Sequence, residues 1–317
     1  MRRPEFVIAL ALAGCLSLAG TPGGFVVAPD WARLPADWTL GDVAGVAVDS
    51  HDHVFVFHRG AEHSIFALEG ESGRVVTSFG DGLFRRAHGL AVDASDNVWV
   101  TDVKRHQVFK FSHAGELQMT LGEEGVPGND GGHFDQPTDV AIGRDGSIFV
   151  SDGYGNSRVA KFSPEGRFLK DWGEREEGPG KMNLPHGIAL DREDNVYVAD
   201  RSNRRVQVYN SEGAYLFALG ESVLGRGGRP WGLEIAGERL YVIDGGDMDA
   251  DTPNVARITV VDASRHAVAS FGSYGLEPGQ LLWGHDLAVG ADGSVYSAEV
   301  RDADRVQKFR PVPAPER

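Results

Sequence analysis

The chain is 317 residues long, 41% hydrophobic and 24% charged, a composition that supports a large buried core and argues against extended disorder. Its formal charge of −15 argues against nucleic acid or an anionic membrane surface as the main partner, because both attract basic patches, so an anionic ligand would need locally placed arginines. Forty-two glycines, recurring at turn-like spacings, favour a turn-dense all-β chain.

The N-terminus reads MRRPEFVIALALAGCLSLAG. Two arginines, a short apolar run and small residues give residues 1–24 the shape of an export signal, since the run is too short for a membrane span. Leu12-Ala13-Gly14-Cys15 resembles the lipobox of bacterial lipoproteins, in which the cysteine is lipidated; simple secretion is the alternative. The chain is therefore expected in the bacterial cell envelope, either tethered to the membrane through a lipid on Cys15 or periplasmic or secreted. Cys15 is the only cysteine, so residues 25–317, read as one domain, must fold without disulfides.

From residue 45 onward a repeat is visible. Short apolar segments start at Gly45, Gly89, Asp139, Gly187, Gly232 and Asp286. Each leads into an alternating strand: VFVFH (54–58), VWVTD (98–102), IFVSD (148–152), VYVAD (196–200), LYVID (240–244) and VYSAE (295–299). A third strand follows, as in QVFKF (107–111), RVAKF (158–162), RVQVY (205–209) and RVQKF (305–309). A fourth ends in Gly, as in TSFG, MTLG, KDWG, FALG and ASFG. Four antiparallel strands per unit, repeated six times, predict a six-bladed β-propeller. The sixth unit stops after its third strand, and Asp37-Trp38-Thr39-Leu40-Gly41 matches a fourth-strand ending. An N-terminal strand near residues 36–40 is therefore expected to complete the last blade and leave no free edge.

Phase within the repeat gives geometry. The first strand of each blade lines the central channel, so the residues just before it ring one mouth: Ala44, His88, Thr138, His186, Trp231 and His285. With eleven histidines in the chain, three in six equivalent slots far exceeds random placement. The three fall in alternate blades and should point at a common spot on the axis. Three converging imidazoles without a thiol suit zinc with an open fourth position; the bland alternative is that each satisfies a turn carbonyl. A second ring, one residue beyond the second strand, holds Arg59, Val103, Gly153, Arg201, Gly245 and Val300. Arg59 and Arg201 could grip a carboxylate or pair with a blade acid. Tyr154, at the same rim, could pack or, beside a dication, take a proton. The recurring acids Asp102, Asp152, Asp200 and Asp244 are read as structural acceptors for backbone amides. Asp286, directly after a histidine, is the better candidate for a cation ligand.

The blade pattern resembles NHL-repeat propellers. The ordered set HRG (58–60), HGL (88–90), WVTDVKRHQVFK (99–110), DQPTDVA (135–141), VSDGYGNSR (150–158), LPHGIAL (184–190), VADR (198–201) and GHD (284–286) resembles peptidyl-α-hydroxyglycine α-amidating lyase, the lyase half of the enzyme that makes peptide amides. The resemblance covers roughly residues 40–310. It implies a catalytic zinc on His88, His186 and His285, and a structural calcium held by Asp286 and the backbone carbonyls of Val46 and Leu90. It also implies catalytic roles for Tyr154, Arg59 and Arg201. The implied reaction cleaves the N–C bond of a peptidyl- or N-acyl-α-hydroxyglycine, giving an amide and glyoxylate. The expected partner is that small-molecule or peptide substrate, acted on by a monomer.

The sequence departs from the family's animal members. Their disulfides have no counterpart, as at Gly155; a methionine two residues before the third metal histidine is Trp283; the loop after HRG is shorter; and no monooxygenase domain is expected. Two rival readings are a non-catalytic NHL propeller binding a peptide or envelope glycan, and a lactonase-type propeller hydrolase.

Overall fold

The computed structural model of the protein describes residues 24–246 and 255–312. Residues 1–23 of the predicted export signal 1–24, Cys15 among them, lie outside the described residues. Six four-stranded antiparallel sheets make up the fold, and the inner strand of blade 6 packs beside that of blade 1. The result is the six-bladed propeller expected from the repeat.

Blade 1 runs Val43–Val48, His53–His58, Ile65–Glu69 and Val75–Phe79 from axis to rim. The inner strands of blades 2 to 6 are Ala87–Val92, Asp139–Ile142, Pro185–Leu190, Pro230–Ala236 and Gly284–Val289. Burial follows position within the blade. Second strands such as Val98–Asp102 are buried along their whole length, whereas outer strands such as Phe168–Trp172 alternate towards solvent. Apolar clusters fill the seams between neighbouring sheets, as where Phe55 and Phe57 of blade 1 share a core with Val98, Val100 and Phe109 of blade 2. Burial of this kind supplies the main favourable term for folding.

The structural reading of the repeated acids holds. Asp102 Oδ2 accepts the backbone N–H of Arg85 and Arg86 at 2.6 and 2.9 Å, on the connection entering blade 2. Asp152, Asp200 and Asp244 do the same for Asp135, Asn183 and Arg229. Each acid thereby accepts backbone amide donors that the sheet leaves unpaired.

The closing strand differs from expectation. Residues 36–40 form no strand. The fourth strand of blade 6 is instead Phe25–Ala28, paired with Arg305–Pro311 in the register Phe25↔Pro311 to Ala28↔Lys308. Trp38 has a packing role: its ring stacks on His63 with centroids 3.6 Å apart and meets Phe66 edge-on at 5.5 Å. An aromatic held by ring contacts has no need of ladder hydrogen bonds, so DWTLG copies a fourth-strand ending in letters and not in geometry.

Candidate active site

Five of the six inner strands carry a register shift at their start, and three of these shifts sit at His88, His186 and His285. A bulge of this kind re-aims a side chain out of the regular alternation, here into the channel. The ring centroids lie 4.5 to 4.8 Å apart in a nearly equilateral triangle, and one ring nitrogen of each lies within 4.8 Å of the other two.

The opposite ring nitrogens are tied back by a common device. His88 Nδ1 contacts the carbonyl of Thr138 at 2.6 Å, His186 Nδ1 that of Trp231 at 2.9 Å, and His285 Nδ1 that of Ala44 at 2.7 Å. A carbonyl can only accept, so each Nδ1 carries the proton and each Nε2 presents a lone pair. Each acceptor is the equivalent residue of the next blade, so the sixfold repeat itself orients all three rings.

His88 Nε2 and His186 Nε2 share the hydroxyl of Tyr154, at 3.0 and 3.3 Å. His285 Nε2 is buried without a hydrogen-bond partner among the described residues. The imidazoles are all held well below their ordinary 6.5, first by burial and then by neighbouring positive charge: His285 and His186 for His88, Arg201 for His186, His186 for His285. Neutral rings with fixed tautomers and inward lone pairs, one of them orphaned, fit a metal ion of the zinc class.

Arg59 and Arg201 stand at the same mouth. Arg59 donates from Nε to Ala87 O at 2.9 Å and from Nη1 to Asp42 Oδ2 at 2.5 Å. The Arg201 guanidinium lies 3.5 Å from the ring centroid of Trp231, a stacking that holds the plane of its donors fixed. Gly153, in the second ring, has no room for a side chain, because a Cβ there would lie 1.8 Å from Pro185 O. Tyr154 follows it and reaches the triad.

The channel beyond the triad is acidic. A cavity of about 180 Å³ is lined by Val46, Leu90, Asp139, Glu234 and Asp286 together with apolar residues, and among the described residues no basic side chain lines it. Asp286 accepts Val46 N at 3.0 Å and Leu287 N at 2.8 Å. Asp139 repeats the pattern with Ile188 N and Val140 N, at 3.0 and 2.9 Å. Burial raises both carboxyls, and Asp286 raises Asp139 further. Glu234 is pushed up to about 8 by burial and then by Asp286. Carboxylates crowded together, with no countercharge among the described lining residues, fit a hard, oxygen-seeking cation.

Sequence reasoning missed several of these residues. Asp139 occupies the same repeat column as Asp286, where the other four blades have Gly, so the signal was present. Glu234 had none beyond its place on an inner strand. Asp42, the partner of Arg59, lies ahead of the first repeat unit. Its other oxygen, Oδ1, accepts the backbone N–H of Arg301, whose guanidinium covers Trp283 at 4.3 Å. Trp283 and Trp231, with centroids 6.0 Å apart, form an apolar wall beside His285.

Comparisons with known proteins bear on this site. The NHL repeat model matches residues 84–111, 134–162 and 182–209, the first three strands of blades 2, 3 and 4. The chain is 39% identical over 216 residues to the peptidylglycine alpha-amidating monooxygenase of Rattus norvegicus, covering 58% of this chain and 22% of that one. It spans between 21% and 36% of the length of the four monooxygenases it matches. A solved gluconolactonase from Xanthomonas campestris aligns over 93% of this chain and 99% of that one, with a TM-score of 0.63 at 13% identity, a likeness of fold. A Caenorhabditis elegans protein named "Probable peptidyl-alpha-hydroxyglycine alpha-amidating lyase" is 31% identical over 301 residues, covering 86% of this chain and 83% of the relative. On that breadth of similarity, the chain belongs to the peptidyl-α-hydroxyglycine α-amidating lyase family.

Proposed function

We propose that the protein cleaves the N–C bond of a peptidyl- or N-acyl-α-hydroxyglycine, releasing an amide and glyoxylate. The observation that carries this reading is the meeting, at one mouth of the channel, of three inward Nε2 lone pairs with Tyr154 Oη, beside Arg59 and Arg201. A zinc ion held by His88, His186 and His285 would supply Lewis acidity at the substrate hydroxyl.

The chain's own residues account for the rest. Arg59 and Arg201 bind the substrate carboxylate, and the Arg201–Trp231 stack keeps one guanidinium aimed at it. Acting as the phenolate, Tyr154 Oη receives the hydroxyl proton, the C–O bond becomes a carbonyl, and the C–N bond breaks. The amide nitrogen takes the proton, so the products are R–CO–NH₂ and glyoxylate and nothing else is consumed. Trp231 and Trp283 exclude water from one side, which strengthens the charge interactions. Asp286, with the carbonyls of Val46 and Leu90, would hold calcium further along the channel and offset the repulsion among the acids.

The test is glyoxylate release from an N-acyl-α-hydroxyglycine by zinc-loaded protein. Tyr154→Phe is expected to lower kcat by about 10²–10⁴-fold, the usual share of proton transfer. Arg201→Ala should lower kcat/KM by roughly 10–100-fold, mostly through KM, for the loss of about 1.5–3 kcal/mol of charged hydrogen bonding. Undiminished glyoxylate release by a His186→Ala protein shown to lack zinc would overturn the role given to the triad.

A further inference from the structure

A second cluster of imidazoles lies at the far end of the strands, on the face opposite the triad. The hairpin between the first two strands is built on the same aspartate turn in three blades. Asp93 Oδ1 accepts Ser95 N and Asn97 N at 2.9 and 3.0 Å. Asp191 Oδ1 accepts Glu193 N and Asn195 N at 3.0 and 2.8 Å. In blade 1, Asp49 Oδ1 accepts His51 N and His53 N at 2.9 and 2.7 Å. One carboxylate oxygen therefore makes the turn, and the other is free to do something else.

That other oxygen separates the blades. In blades 2 and 4, Oδ2 takes the side-chain amide of the asparagine four residues on, at 3.0 and 2.8 Å. In blade 1 this asparagine is His53. Asp49 Oδ2 lies 3.0 Å from His53 Nδ1 and 2.8 Å from His113 Nε2, the latter reaching across from the turn between the third and fourth strands of blade 2. His51 Nδ1 stands 3.8 Å from the same oxygen. The ring centroids of His51, His53 and His113 are 5.5 to 5.9 Å apart.

Asp96 also approaches His51, at 3.4 Å, but its carboxylate is already engaged by Ser50 N and Oγ at 2.9 and 2.7 Å. Asp194 makes the matching contact to Arg144 N at 3.1 Å between blades 3 and 4. Asp96 thus has a structural reason to be where it is. Turn geometry explains Asp49 Oδ1, and the repeat explains Asp96. Neither explains why two or three imidazoles from two blades converge on Asp49 Oδ2.

We propose that Asp49, His53 and His113, with His51 as a fourth arm, form a second site for a divalent first-row ion such as zinc, clasping blade 1 to blade 2. One carboxylate and three imidazoles make a donor set suited to such an ion. Ligands around zinc stand about 3.3 Å apart for bonds near 2.0–2.1 Å. The ligand atoms of Asp49, His53 and His113 all lie within 4.8 Å of one another. The 3.0 and 2.8 Å from Asp49 Oδ2 to His53 and His113 need only small shifts, the metal replacing two ring protons, while His51, at 3.8 Å, has further to turn. The Asp49 side chain forms a fully buried floor, while His53, His113 and His51 are 24%, 42% and 60% exposed. An ion can therefore enter from solvent without the fold opening. The site shares no residue with the triad and does not depend on the reaction assigned to it.

Metal-stripped full-length protein, dialysed against Co²⁺ with calcium in excess to occupy the acidic channel, gives the test. Wild type should bind two cobalt ions, and His186→Ala one. In the His186→Ala background, His113→Gln should weaken the remaining cobalt by more than roughly a hundredfold and remove its tetrahedral absorption band and the rise in Tm on cobalt addition. The exposed His51→Ala, which leaves the turn's backbone bonds in place, should weaken it less. Cobalt binding by His186→Ala that is unchanged in both His113→Gln and His53→Gln overturns the proposal, as does a His186→Ala protein that binds no cobalt.

Discussion

His58 stands where four other blades place an aspartate, and it does the aspartate's work with an imidazole. Its Nδ1 accepts Gly41 N at 3.2 Å and Gly60 N at 3.0 Å, and its Nε2 faces the carbonyl of His63 at 2.9 Å. Only the neutral ring satisfies both ends, and burial holds its pKa below the ordinary 6.5. The unfolded chain takes up a proton below 6.5 that the folded site refuses, so stability is present above 6.5 and is lost as pH falls towards the folded value. Denaturant unfolding between pH 7.5 and 5 should show this slope, and His58→Asp, which restores a carboxylate acceptor, should flatten it relative to wild type. The three triad histidines were legible in the sequence because each occupies the same slot in alternate blades. Their Nδ1 partners were not, because a backbone carbonyl has no letter of its own.

At the scale of the strand, the bulge at each triad histidine brings neighbouring inner strands into close contact. A Cβ at Gly89 would lie 2.4 Å from Asp139 Oδ1, 2.6 Å from Thr138 O and 2.7 Å from Asp139 Cα. Since Thr138 O also orients His88, Gly89→Ala should cost about 1–3 kcal/mol of stability and reduce glyoxylate release. Gly220→Ala, where a Cβ would meet nothing within 4 Å, should change neither; thermal unfolding and the activity assay read both. Second strands were legible almost to the residue in all six blades, and third strands in blades 2, 3, 4 and 6, because their alternation recurs. The closing strand Phe25–Ala28 was not, since four residues beside an apolar leader carry too little alternation to stand out, while DWTLG offered a false match.

Across the whole molecule, ring closure depends on that short strand. Removing residues 25–28 would expose the edge of Arg305–Pro311 and uncover Phe271, whose ring stacks on Phe25 at 4.1 Å. The truncated protein should melt earlier and aggregate through the bared edge, measurable by thermal unfolding and light scattering. The six-bladed class could be read from the repeat because each blade is a local unit. The pairing between the first and last strands could not, because nearly the whole chain separates them and no periodicity links them. That separation also fixes an order of events. Phe25–Ala28 leaves the ribosome before every other strand and finds its partner only when residues 308–311 have been made. Until then the growing chain carries two unmatched sheet edges, one at each end of an open arc. Its last blade thus becomes complete in a single late step.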